Sequence, residues 1–372
     1  LLKNSDSILP LKKSGTIALV GPLANNAVNM AGTWSVATEQ DKSIPLLEGL
    51  KTVVGNVANV LYAKGSNLDY DLEFEKNATM FGKEIPRDGR TDEQLLDEAL
   101  SMASKSDVII AALGESAEMS GESSSRTNLE IPQVQKDLLN ALLKTGKPVV
   151  LVLFTGRPLV LVEEHENVPA ILNVWFPGSE AGLAISDVLF GDVNPSGKLT
   201  ATWPMNVGQI PIFYNQKNTG RPIANKEGKF EKFRSNYLDV RNEPLYPFGY
   251  GLSYTTFGYS NLKVSSSTMA MDGSLNVTVD VKNSGNYDGK EVVQLYTRDL
   301  VGSVTRPVRE LKSFQKIELK KGETKTVTFK LTIEDLKFYN YDLDYVAEPG
   351  IFEVYVGTNS DADLKTKFEL VK

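Results

Sequence analysis

Short, unbroken apolar runs recur along the first half of the chain, each closed by a turn signal. Residues 16–20 (Thr-Ile-Ala-Leu-Val) end at Gly21-Pro22, residues 108–113 end at Gly114, and residues 148–154 lead into Gly156-Arg157-Pro158. Residues 57–62 and 170–175 are two further runs, the last closed by Pro177-Gly178. Runs of this length bounded by glycine and proline predict strands. Between them the spacing changes. Leu95, Leu96, Ala99 and Met102 recur at helical intervals over residues 91–103. Thr91 followed by Gln94 forms a capping box at the start of that helix. Residues 132–144 predict a helix with proline in its first turn and Gly146 past its end, and residues 179–190 predict another. Continuous apolar strands alternating with helices imply an α/β sandwich domain, a mostly parallel sheet between helices.

Near Thr202 the pattern changes. Residues 203–254 are rich in Pro, Gly, Asn, Lys and aromatics with weak periodicity, too long for an ordinary connection and so either functional or wrapped over another domain. From Phe257 onward the alternation has period two, clearest at Leu275, Val277, Val279 and Val281. Residues 292–296, 324–331 and 352–356 are further strand candidates, separated by Asn-Ser-Gly and Lys-Gly-Glu turns. Several such strands predict an all-β sandwich of immunoglobulin or fibronectin III type.

Composition narrows the chemistry. With 372 residues, the chain has room for about two or three domains. A net charge of −7 argues against a nucleic-acid partner, which needs a clustered positive field. No cysteine is present, so disulfides, thiolate metal sites and a cysteine nucleophile are excluded. The one histidine, His165, lies among Glu163, Glu164 and Glu166 and reads as a solvated helix residue; one histidine cannot build a multi-histidine metal site. The longest apolar run is strand-sized, too short to span a membrane. Neither an initiator methionine nor a signal peptide opens the chain, which reads as the C-terminal part of a longer protein, with a mature secreted terminus as the alternative.

In open parallel sheets, ligands collect at the carboxyl ends of the strands. Three segments stand there: 21–34, 114–126 and 175–180. The second carries Glu115, Glu118, Glu122 and Arg126 in a small, polar, flexible loop, suited to a general acid. On spacing alone it reads as an ordinary solvated loop, with Glu122 and Arg126 as an exposed pair. Trp34, in a Gly/Thr/Ser loop, is either a stacking platform or a core residue; Trp175 reads as core. No Gly-x-Gly-x-x-Gly and no Gly-x-Ser-x-Gly pattern is present, which counts against a dinucleotide site and a serine hydrolase elbow.

Three longer blocks carry a resemblance: Trp175-Phe176-Pro177-Gly178-Ser179-Glu180-Ala181-Gly182 with the Asp187 to Leu199 run behind it, Tyr246-Pro247-Phe248-Gly249-Tyr250-Gly251-Leu252-Ser253-Tyr254-Thr255, and Arg306-Pro307-Val308-Arg309-Glu310-Leu311-Lys312-Ser313-Phe314. Together they resemble glycoside hydrolase family 3, of the bacterial periplasmic β-glucosidase type, over essentially the whole chain. The resemblance implies an N-terminal (β/α)8-type barrel that this chain lacks, with residues 1–13 as the linker leaving it. It implies an α/β sandwich over 14–208, a long irregular linker over 209–256 and a fibronectin III-like sandwich over 257–372. It also implies a retaining mechanism, with the nucleophilic aspartate on the barrel and the acid/base on a loop of the α/β domain, often as Glu, three residues, Arg. Glu122 to Arg126 fits that spacing, so the resemblance assigns the acid/base role to Glu122, with Glu115 as runner-up and Glu118 third. Trp34 aligns with a family loop that carries a sugar-stacking tryptophan, and Arg126 is expected to orient Glu122 or contact substrate. The implied substrate is a terminal non-reducing β-D-glucosyl residue, the implied location periplasmic or extracellular, and no cofactor or metal is implied. Alone, the chain is expected to be inactive. The competing reading is a non-catalytic carbohydrate-binding or interaction module that kept the fold; a nucleotide-binding protein is a third, disfavoured by the missing phosphate loop.

Overall fold

The structure, a computed structural model, describes residues 1–35, 37–78, 85–222 and 230–372. The chain divides into two compact units, Leu1–Val193 and Asn194–Lys372. Residues 223–229, part of the stretch read as an irregular linker, lie outside the described residues.

In the first unit the element order is β1 (Lys3–Asn4), β2 (Gly15–Val20), α1 (Leu46–Val54), β3 (Ala58–Ala63), α2 (Leu72–Asn77), α3 (Asp92–Ser104), β4 (Val108–Gly114), α4 (Gln133–Leu143), β5 (Val149–Phe154), α5 (Val162–Asn167), β6 (Ala170–Asn173) and α6 (Ala181–Leu189). The six strands pair in the order β1-β6-β5-β4-β2-β3. All are parallel except β1, which runs antiparallel along β6 with Lys3 opposite Ile171. The first thirteen residues, read as a linker, therefore contribute an edge strand. Every residue of β5 is buried, as a strand covered on both faces requires. Helix α1 packs on α6 and α3 packs on α4. The capping box at Thr91 and Gln94 is formed in full.

The strand order turns back at β2. The chain steps outward from β2 to β3, then returns to lay β4 on the other side of β2. Right-handed crossovers then put α1 on the opposite face from α3 and α4. The carboxyl ends of β2 and β4, at Val20 and Gly114, flank this reversal, where ligands of open α/β sheets bind.

The described residues between 194 and 256 belong to the second unit. Trp203, wholly buried, bridges to Tyr246. Then follow β7 (Phe257–Val264), β8 (Thr268–Ala270), β9 (Ser274–Asn283), β10 (Gly289–Asp299), β11 (Glu310–Leu319), β12 (Thr324–Thr332), α7 (Ile333–Leu336), β13 (Phe338–Tyr339), β14 (Tyr345–Val346), β15 (Gly350–Gly357) and β16 (Lys365–Val371). One sheet runs β11-β10-β15-β16-β8 and a second runs β12-β9-β7. Their facing side chains, among them Val277, Val279, Leu295, Phe329, Val354 and Phe368, form one core. This is the expected fibronectin III-like sandwich.

Candidate functional site

Glu115 follows β4 directly and is wholly buried. Arg126 Nη1 donates to its Oε1 at 2.9 Å, and Arg157 Nε lies 3.2 Å from the same oxygen. The Thr155 hydroxyl donates to Oε2 at 2.7 Å and the Gly156 amide at 3.2 Å. A carboxylate leaves water only when its lone pairs are filled in this way. With no exposed surface and both oxygens occupied, Glu115 does not reach a leaving group in this conformation. Glu118 is also buried and accepts from the Thr33 hydroxyl at 3.1 Å.

Glu122 differs from both. It is exposed at the turn of the loop, and the next residue, Ser123, holds φ at 59°. The backbone around it is fastened, although the composition reads as flexible. Arg157 Nη2 donates to the Met119 carbonyl and, at 2.7 Å, to the Ser124 carbonyl, one on each side of Glu122. Gly121 has φ 132° and passes so close to Thr33 that a Cβ there would fall 2.4 Å from its methyl carbon. Gly156 passes equally close to Ser120.

The loop after β2 comes to the same place. The Ala117 amide donates to Asn29 Oδ1 at 2.5 Å, while the Met30 carbonyl accepts from the Gly178 amide at 2.9 Å. Gly32 lies against the Phe176 ring. Trp34, at the tip, is 73% exposed, so it is no core residue. Trp175, read as core, is only half-buried and holds φ at 54°, a left-handed conformation that costs a bulky residue energy and concentrates at functional sites. The three segments singled out in the sequence thus meet.

Arg126, expected to orient Glu122 or contact substrate, is turned inward. Its side chain is 10% exposed; besides Glu115 it donates to the Glu130 carbonyl at 3.1 Å, and its guanidinium lies 5.9 Å from the Phe74 ring centre. Here it braces the loop. The segment the sequence reading missed is Thr155-Gly156-Arg157, at the carboxyl end of β5. Its position after a buried strand was the available signal. His165 is half-buried on α5 rather than solvated, and its carbonyl accepts from Lys3 Nζ. A shallow depression at Gly15 and Asn56 lies at the amino ends of β2 and β3, the opposite end of the sheet.

An exposed carboxyl, an exposed indole and a firmly held loop at the switch point can bind a ring and move a proton to it. Residues 1–254 match the glycosyl hydrolase family 3 C-terminal domain, and residues 291–360 match the fibronectin type III-like domain. The chain is similar to a periplasmic β-glucosidase of Salmonella typhimurium, 50% identical over 371 residues, covering all of this chain and 48% of that protein. It is similar also to a β-xylosidase of Formosa agariphila, 41% identical over 379 residues, again all of this chain and 48% of the relative. A crystal structure of a β-glucosidase from Listeria innocua in complex with isofagomine superimposes with a TM-score of 0.87 at 40% identity, over all of this chain and 48% of that one. The chain therefore spans about half the length of these relatives.

Proposed function

Since the chain belongs to glycoside hydrolase family 3, we propose that it is the acid/base-bearing half of a retaining β-glucosidase acting on terminal non-reducing β-D-glucosyl residues. Glu122 protonates the departing glycosidic oxygen and then deprotonates the water that releases the sugar. The nucleophile is an aspartate on a (β/α)8-type barrel outside this chain, on the same polypeptide or a separate subunit. Retention requires the two carboxyls about 5–5.5 Å apart, so Glu122 must face the barrel. Trp34 stacks on the leaving-group side of the substrate. The names of the Salmonella and Listeria relatives support a β-glucoside, and the name of the Salmonella protein supports a periplasmic or extracellular site of action.

One observation carries the assignment. Of the three glutamates in the loop, only Glu122 is exposed, and its backbone is fastened from both sides. Protonation matters most when the leaving group is poor. In the complete enzyme, Glu122→Ala is expected to lower kcat/KM on an alkyl β-glucoside by about 10²–10⁴-fold, with a smaller loss in kcat/KM on a dinitrophenyl β-glucoside. Added azide, a nucleophile needing no general base, should restore part of the turnover of the dinitrophenyl β-glucoside as glucosyl azide, because it replaces water in the release of the glycosyl-enzyme. Wild-type turnover on both substrates would remove Glu122 from the role. Faster turnover of the matching β-xyloside would keep the mechanism and change the sugar.

A further inference from the structure

A general acid must stand within hydrogen-bond reach of the oxygen it protonates, and Glu122 stands on an exposed part of the loop. Its placement depends on the loop backbone. That backbone hangs on Arg157, whose Nη2 takes the carbonyls of Met119 and Ser124, three residues before and two after Glu122. Arg157 is in turn held from below. Its Nε lies 3.2 Å from Glu115 Oε1, and the Thr155 hydroxyl and Gly156 amide fix the other oxygen of that carboxylate. Arg126 secures Glu115 from the far end of the loop.

We infer that Glu115 and Arg157 are positioning residues for Glu122: a buried carboxylate fixes a guanidinium, and the guanidinium fixes the two carbonyls between which the acid/base stands. This rests on the acid/base reading of Glu122 given above. The chemistry explains the residue types. A planar guanidinium can set one edge beside a carboxylate as an ion pair while its far N–H groups take carbonyls; a lysine ammonium is a single point that cannot span them. Glu115, wholly buried, compensates the charge of this partly buried guanidinium, whose side chain is 20% exposed. The arrangement also accounts for Glu115 standing seven residues before Glu122 without competing for its role.

The test uses the complete enzyme with Glu115→Gln, Arg157→Met and Arg157→Lys, compared with Glu122→Ala on an alkyl and on a dinitrophenyl β-glucoside. A displacement of about 1 Å at a reacting group costs on the order of 100-fold. Arg157→Met is expected to lose on that order in kcat/KM on the alkyl glucoside, through kcat rather than KM, with a much smaller loss in kcat/KM on the dinitrophenyl glucoside. Glu115→Gln, which keeps the shape and removes the charge, should lose in the same pattern. Arg157→Lys, which keeps the charge and loses the fork, should fail to restore it. An equal loss on both substrates would make the cluster a mere contributor to folding, and wild-type kinetics in all three variants would make it irrelevant; either overturns the inference while Glu122→Ala still shows its leaving-group dependence. If Glu122→Ala shows none, the acid/base reading falls and the inference with it. The Glu115 and lysine variants keep the test open if Arg157→Met does not fold.

Discussion

Buried carboxylates separate into two kinds by what surrounds them. Glu115 is met by two guanidinium groups, a hydroxyl and an amide. Glu164, on α5 in the acidic stretch that reads as solvated, is turned under its helix and is also buried. Burial pushes its carboxyl above the usual range; Lys136 opposes that, but its ammonium is shared between Glu130 at 2.9 Å and Glu163 at 3.0 Å. A carboxyl whose folded pKa is raised binds its proton more tightly in the fold than in the unfolded chain. Its contribution therefore favours folding below the ordinary carboxyl range and is lost as pH rises through the raised value. Glu164→Gln removes that dependence. At pH 7 the variant should be more stable than the parent in urea unfolding, by on the order of 1 kcal/mol, and the gap should close toward pH 4. A variant less stable at pH 7 would mean that Lys136 holds the ionised form. At this scale the proposal of Glu122 came from its spacing to Arg126 and the family resemblance. Arg157 was not legible, because its partners lie 33 to 42 residues away in the chain and only the fold unites them.

The elements that declared themselves were those whose own residues decide their form. The wholly apolar β4 and β5 runs, the α3 capping box and the alternation of β9 are local patterns, and each stands where the sequence puts it. Helix α1 went unread for a physical reason. It contains Gly49, ends in Thr52-Val53-Val54 and starts from Pro45 with no side-chain cap, all poor helix credentials. Packing makes it a helix. Gly49 lies so close to Gly182 of α6 that a Cβ on it would fall 2.0 Å from the Gly182 carbonyl carbon, and a Cβ on Gly182 would fall 2.2 Å from the Pro45 carbonyl oxygen. The pair of glycines lets two backbones touch. A glycine-to-alanine change inside a helix ordinarily helps by up to about 1 kcal/mol. Here Gly49→Ala should instead destabilise the chain by at least about 2 kcal/mol, because backbone cannot yield as a side-chain tip can. Chemical denaturation of the two proteins decides it, and a neutral or stabilising alanine would show that α1 and α6 can separate without cost.

At the scale of the whole molecule, the informative stretch is 194–256, of which the sequence reading gives 194–208 to the α/β domain and 209–256 to a linker, while its described residues fall in the second unit. It fills polar positions that the sandwich cannot satisfy alone. Lys198 Nζ lies 3.2 Å from Glu291, whose carboxyl is pushed up by burial and also takes the Tyr259 hydroxyl at 2.9 Å. Thr255 donates to Asn283 at 2.6 Å, and Gln294 donates to the Gly249 carbonyl at 3.1 Å. Tyr214 stacks on Phe248, their ring centres 4.3 Å apart, and meets Tyr296 edge-on. The fibronectin-type core is complete without these residues, since its cluster is drawn from 257–372 and its strands pair among themselves. Apolar packing and polar satisfaction therefore place the domain boundary differently: by core it falls near Phe257, by paired polar groups near Asn194. The second criterion should decide stability, because removing one partner of a buried ion pair costs about 3–5 kcal/mol, a large part of what a small domain has to spare. A fragment of residues 194–372 is expected to unfold in one cooperative transition. A fragment of residues 257–372 should lose at least that amount in urea, and acidification should recover part of the loss by protonating the stranded Glu291. Equal urea midpoints for the two fragments would show that Lys198 and its neighbours merely lie on a domain that stands without them.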